Sequence, residues 1–125
     1  MAFKVLLIDD NDVFRKAISD TLEIMKFDVT PLNDGKFATQ YLKKKQYDII
    51  ITDIIMPDKD GFETITDIRR HDDKIPIIAV TGDGSYELNQ NLMIAERLGA
   101  DDTLMKPFET SVLLDKINNI LRLDH

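Results

Sequence analysis

"VLLIDDNDVF", residues Val5 to Phe14, drives an apolar run straight into two adjacent carboxylates, Asp9 and Asp10. Acids after a strand are ordinary turn and capping chemistry when Asn11 or Asp12 opens a helix. They are also what a site for a cation requires. The rest of the chain decides between these readings, because the pattern of a short apolar run followed by a longer segment spaced by three and four recurs along it.

Strands are expected at 4–8, 28–32, 48–52, 76–80 and 102–105, and helices at 12–25, 36–44, 62–70, 86–98 and 110–122. Phe14, Ala17, Ile18, Thr21, Leu22 and Met25 form one face of the first helix. Leu113, Leu114, Ile117, Ile120 and Leu121 do the same in the last. Five repetitions of strand then helix imply parallel strands joined by right-handed crossovers, with helices on both faces of the sheet. Strands that are apolar without alternation agree with burial on both sides. The methionines are expected in the apolar stripes, with Met56 partly exposed.

The 125 residues suit one domain, and 43% hydrophobic with 31% charged residues is an ordinary globular composition. No apolar run approaches the ~20 residues of a membrane-spanning helix, and no basic region precedes the first run as a secretory signal demands. Without cysteine there is neither disulfide nor thiol chemistry, which agrees with a cytoplasmic place. A net charge of −7 is a poor match for a phosphate backbone, so no direct nucleic-acid contact is expected. A single stand-alone domain over 1–125 with no output domain is expected.

In an open doubly wound sheet the ligand crevice lies outside the carboxyl ends of the strands. Asp9 and Asp10 follow the first strand, Asp53 the third, Thr81 the fourth and Lys106 the fifth, so one crevice would hold them all. Three carboxylates a few ångströms apart raise one another's pKa unless cations compensate. Lys106 supplies one charge and a divalent ion the rest. Hard oxygen donors without His or Cys select magnesium over zinc. Asp53, closing "YDIIITD" ahead of the turn "IIMPDKDG", can act as a nucleophile. Phosphoryl transfer asks mainly for an in-line attacking atom and neutralised oxygens. The ion, Lys106 and the Thr81 hydroxyl with the Gly82 amide can cover those oxygens, and the product is an aspartyl phosphate.

In sequence, "LIDDN", "ITDIIMPDKDG", "AVTGD" and "LMKPF", in that order, the chain resembles the receiver domain of two-component response regulators, the family of the bacterial chemotaxis regulator. The resemblance spans essentially the whole chain. It implies a flavodoxin-like (βα)5 fold with strand order 2-1-3-4-5, Asp53 as phosphoacceptor, and Asp9 and Asp10 as acidic metal-site residues. It further implies Thr81 as the switch hydroxyl, Lys106 as the phosphate-contacting lysine, the Ile55 backbone carbonyl as a magnesium ligand and a cis Lys106–Pro107 bond. The implied function is to accept a phosphoryl group from a phosphohistidine, on a sensor histidine kinase or a phosphotransfer protein, in a Mg²⁺-dependent reaction. Signalling then passes through changed protein contacts, a phosphorylation-dependent dimer among them. Such a protein loses its phosphate slowly and is no enzyme in the usual sense; Ile55 and Asp83 border the path of the attacking water.

One residue departs from the family's pattern. Three positions before the lysine, where many receivers carry an aromatic ring that swings inward, this chain has Thr103, which is β-branched and stiff. Switching is therefore expected through Thr81 and the loop "GDGSY", with Tyr86 repacking. The last helix, the 86–98 helix and the 102–105 strand are the expected readout surface. Three rivals are weaker. A haloacid-dehalogenase-type phosphatase needs a second Asp two residues after its nucleophile, where Ile55 stands. A flavodoxin-like cofactor binder would have its phosphate repelled by Asp9 and Asp10. A phosphorylation-independent interaction module has no need of a complete set of five site residues.

Overall fold

The computed structural model describes residues 2–54, 61–82 and 86–123, with side chains from Gln90 onward in the helix that begins at Tyr86 and Leu123 by its backbone alone. Five strands alternate with five helices: β1 (Lys4–Ile8), α1 (Asp12–Ile24), β2 (Asp28–Leu32), α2 (Ala38–Lys44), β3 (Ile49–Asp53), α3 (Gly61–His71), β4 (Ile77–Thr81), α4 (Tyr86–Leu98), β5 (Asp102–Met105) and α5 (Thr110–Leu123). All strand pairs are parallel and the order is β2-β1-β3-β4-β5. The doubly wound class and the strand order thus agree with expectation.

The period-2 geometry of a strand sends successive side chains to opposite faces, and the core divides accordingly. Val5 and Leu7 of β1, with Ile49 and Ile51 of β3 and Ile78 and Val80 of β4, pack against Ile18 and Leu22 of α1 and Leu113, Ile117 and Leu121 of α5. Leu6, Ile8, Ile50, Ile77 and Ala79 face the other way, against Ala38 of α2, Ile65 and Ile68 of α3 and Ala95 of α4. An apolar run without alternation is what two covered faces require.

Uniform burial holds only for the central strands. The outer strand β2, "DVTPL", is at best half buried, and β5 buries only Leu104. An edge position tolerates Pro31, which has no N–H to donate, because only one side of the strand is paired. The core stripe of α1 is narrower than expected: Ile18, Ser19 and Leu22 are buried, whereas Ala17 and Met25 are exposed. Met93 and Met105 are exposed as well, so the described methionines are surface residues and not core. Met56 lies outside the described residues.

Asn11 caps α1, its Oδ1 accepting from the Phe14 N–H at 2.9 Å, which fixes where the chain leaves the acid pair. The helix stops at Lys26, whose φ of 73° is left-handed. There the Lys26 and Phe27 N–H groups donate back to Glu23 and Leu22, the two-bond closure of a Schellman turn. Gly61 opens α3 hard against β3: a Cβ there would collide with the Ile54 backbone, so only glycine lets the helix begin that close to the strand carrying Asp53. Among the described residues no helix is long and apolar enough to cross a membrane.

Candidate functional site

The expected site residues converge at the carboxyl edge of the sheet. Asp9 is the first residue beyond β1, and Asp53 and Thr81 are the last of β3 and β4. Sequence reading placed Asp53 and Thr81 just after their strands; the ladder runs one residue further. The Ile54 N–H donates to the Val80 carbonyl at 2.8 Å and the Lys106 N–H to the Thr81 carbonyl at 2.7 Å. Those two bonds set Asp53, Thr81 and Lys106 on adjoining rungs.

Asp9 and Asp53 are buried, at 2% and 6% exposure, while Asp10 is exposed. One carboxylate oxygen from each of the three lies within 4.8 Å of the others. The Lys106 ammonium donates to Asp9 Oδ2 at 2.8 Å and to Asp53 Oδ2 at 3.2 Å. Desolvation by burial lowers the Lys106 pKa, but the Asp9 hydrogen bond and the charges of Asp53 and Asp9 outweigh it and hold the ammonium above its ordinary value. Lys106 is thus a firm cation between two buried anions. With Asp10 beside them the cluster still carries more negative than positive charge, and the donors are hard oxygens. That donor set fits Mg²⁺ or another hard divalent cation.

Thr81 contributes a hydroxyl of a different kind. The residue is fully buried and its Oγ1 has no hydrogen-bond partner among the described residues. Buried hydroxyls are nearly always paired, so this one stands out among the described residues as a donor with its bond still to make. Asp9 is held in turn: its Oδ1 accepts from the Asn11 N–H at 2.9 Å and its backbone carbonyl from Arg15 Nη1 at 2.7 Å. Arg15 also pairs with Asp12 at 2.6 Å. The Lys106–Pro107 bond is cis, as the resemblance implied. Ile55, Asp83 and the side chain of Tyr86 lie outside the described residues. Thr103 sits in β5 opposite Ala79 and is half buried.

Two neighbours of the site went unnoticed in the sequence. Arg15 gave no signal of its link to the site, since the group it holds there is the Asp9 backbone carbonyl. Phe14 counted there only as a core residue of α1, yet its ring lies beneath the Lys106 ammonium, with Nζ 3.9 Å from the centroid. The spacing of Phe14 from the acid pair, one helical turn, was the available clue.

Similarity to known proteins runs in the same direction. The family model "Response regulator receiver domain" matches residues 5–118. Transcriptional regulatory protein CpxR of Escherichia coli (strain K12) is 36% identical over 122 residues, 98% of this chain and 50% of that protein. Response regulator protein FleR of Pseudomonas aeruginosa is 33% identical over 117 residues, 94% of this chain and 24% of that one. The chain therefore spans half or less of the length of these curated relatives. Among solved structures, the chemotaxis response regulator CheY4 of Vibrio cholerae superposes with a TM-score of 0.83 at 31% identity, covering 96% of this chain and 99% of that one. Receivers are signalling domains of two-component systems and not enzymes in the usual sense. With the family model matched along most of its length and the fold shared with CheY4, this chain belongs to the response regulator receiver domain family.

Proposed function

We propose that this receiver accepts a phosphoryl group from a phosphohistidine onto Asp53 in a Mg²⁺-dependent reaction and passes the signal on through altered protein contacts. The observation that carries the reading is the placement of one ammonium between two buried carboxylates, with a third carboxylate inside the same 4.8 Å cluster. Asp9, Asp10 and Asp53, with the Ile55 carbonyl, would hold the Mg²⁺, which when bound supplies positive charge facing the phosphoryl oxygens.

The chain's own groups do the rest. An Asp53 carboxylate oxygen attacks phosphorus as the N–P bond of the donor breaks, and the imidazole departs with the electron pair and takes up a proton. Lys106, already 3.2 Å from Asp53, neutralises one phosphoryl oxygen. The orphan Thr81 hydroxyl donates to another, so the bond it lacks in the free protein forms only in the phosphorylated one. Water attack on the acyl phosphate later frees the carboxylate. Phosphorylation replaces one negative charge by roughly two and adds acceptor oxygens, which draws Thr81 toward the phosphoryl group and shifts the α4–β5–α5 surface. Because Thr103 has no ring to move, that shift runs through β4 and the loop after it. A sensor histidine kinase or phosphotransfer protein is the donor, a protein target or a second copy of the chain reads the change, and the place of action is the cytoplasm.

Intact mass after incubation with acetyl phosphate and Mg²⁺ tests this. The parent chain should gain one phosphoryl group, Asp53→Asn none, and omission of Mg²⁺ should suppress the gain. An adduct of equal yield on Asp53→Asn would place the chemistry on another residue.

A further inference from the structure

The Lys106 ammonium has a third neighbour. Besides Asp9 and Asp53, it faces the Phe14 ring, 3.9 Å from Nζ to centroid. Phe14 is itself held from two sides. Its N–H donates to the Asn11 cap at 2.9 Å, which fixes it in the first turn of α1, just past the acid pair. Its ring meets that of Phe108 at 84° with centroids 5.5 Å apart, a favoured perpendicular arrangement. Phe108 lies two residues beyond Lys106, and both rings pack against the core shared by α1 and α5. The segment bearing the acids and the segment bearing the lysine are thus joined a second time, through aromatic contacts beneath the ion pairs.

A lysine needs such support more than an arginine would. Its ammonium is a compact point charge on a flexible four-carbon stem, with none of the planar geometry that pre-orients a guanidinium. The two carboxylates hold it in this structure, but both are the groups whose charge is shared once a cation and a phosphoryl group arrive. The face of an aromatic ring attracts a cation through its quadrupole and accepts no metal and no phosphoryl group. Loading the site therefore draws no charge away from the ring, unlike the carboxylates.

We propose that Phe14 is a positioning residue for phosphoryl transfer: its ring face, braced by Phe108, holds the Lys106 ammonium at the Asp53 carboxylate. The proposal rests on the reading of Asp53 as phosphoacceptor and assigns to the first turn of α1 a role beyond core packing.

The test compares the parent chain with Phe14→Leu, Phe14→Tyr and Phe108→Leu in the rate of adduct formation from saturating acetyl phosphate and Mg²⁺. Side-chain NMR of Lys106 in the free protein accompanies it. Phe14→Leu should react about fivefold more slowly, Phe14→Tyr should stay within about twofold of the parent, and Phe108→Leu should fall between, as a partly desolvated cation–ring contact of ordinary strength predicts. In the free parent and in Phe14→Tyr the Lys106 ε-methylene protons should be shifted upfield by the ring current, and in Phe14→Leu that shift should vanish. Leu at the parent's rate, Tyr falling as far as Leu, or no upfield shift in the parent would each overturn the proposal; the second result would reduce Phe14 to packing. If Phe14→Leu fails to fold, the Phe108→Leu rate and the parent's ring shift decide. A parent that takes up no phosphoryl group at all overturns the reading of Asp53 and the ring's role with it, a result distinct from a reactive parent matched by Phe14→Leu.

Discussion

The two ends of the sheet each gather charge around one long cation, and they finish the task differently. At the carboxyl edge Lys106 faces Asp9 and Asp53 with Asp10 close by, leaving negative charge in excess and the Thr81 hydroxyl without a partner among the described residues. At the amino edge Arg69, in the last turn of α3, spends every N–H it has. Nε and Nη2 donate to the Gly99 carbonyl at 3.0 and 2.7 Å, Nη1 to the Asp72 and Ile75 carbonyls at 3.2 and 2.7 Å, and Nη2 to Asp101 Oδ2 at 3.0 Å. The same Asp101 oxygen accepts from the Ile77 N–H at 2.8 Å, at the start of β4. Gly99 admits this closeness: its φ is +124°, and a Cβ there would lie 2.7 Å from Arg69 Nε. A closed cluster, with every donor and charge matched, fastens α3, α4, β4 and β5 together. The open one leaves charge and a hydroxyl unmatched among the described residues.

If that contrast is right, the largest stability loss belongs to the closed end. Arg69→Met strands three backbone carbonyls, each losing a bond to a charged donor, and should cost about 3 kcal/mol; the Asp101 carboxylate, about half exposed, adds little to that. Urea unfolding measures it. In the fraction still folded, adduct formation on Asp53 should proceed at the parent's rate, because no bond of the Arg69 cluster reaches the carboxyl edge. Unfolding at the parent's midpoint would deny the cluster its structural role.

Next in size is the response of the open end to a cation. A ligand that binds only the folded chain stabilises it by about 2.7 kcal/mol at a hundred times its dissociation constant, so Mg²⁺ should raise the urea midpoint of the parent markedly. Arg69→Met should gain the same increment from its lower starting point, since distant sites add. Asp10→Asn should reverse the order. Without divalent cations it should unfold at a higher urea concentration than the parent, because a like charge has left the cluster, and with Mg²⁺ it should gain little. A gain equal to the parent's would remove Asp10 from the metal site.

The sequence showed one end far better than the other, for physical reasons. The open site is written in residues whose side chains carry the chemistry, each placed at a strand end, so the list Asp9, Asp10, Asp53, Thr81 and Lys106 could be assembled from spacing and the rule for parallel sheets. The Arg69 cluster is built mostly on carbonyls of the main chain, which every residue possesses and no pattern advertises. Central strands were legible because burial on both faces leaves an apolar run, but that same uniformity hides which face Leu6 or Leu7 takes. The edge strand β2 departs from uniform burial since one flank needs no partner. Met25, Met93 and Met105 show the limit of reasoning from residue type: apolar and flexible, they suit a core, yet each falls on the outward side of its element. Phe14 was visible as an apolar residue, while its cation could be found only in three dimensions.

The smallest effect is the most discriminating, because it concerns a group that should contribute nothing to stability in the free protein. Thr81 Oγ1 is buried and makes no bond among the described residues, so it bears a desolvation cost that no partner there offsets. Thr81→Val removes the hydroxyl and keeps the branched shape; where a buried polar atom is unpaired, such a change is nearly neutral or stabilising, within about 1 kcal/mol. The same change at a satisfied hydroxyl destabilises. Urea midpoints of parent and variant, measured without Mg²⁺, separate the two cases by sign. Phosphorylation should then invert the ranking. If the hydroxyl waits for a phosphoryl oxygen, the beryllofluoride complex of the parent, an acyl-phosphate mimic, gains a hydrogen bond that Thr81→Val cannot form, and the parent should become the more stable of the pair. An unchanged ranking in the complex would mean that Thr81 donates to nothing the ligand brings, and the carboxyl edge would lose its orphan as a sign of function.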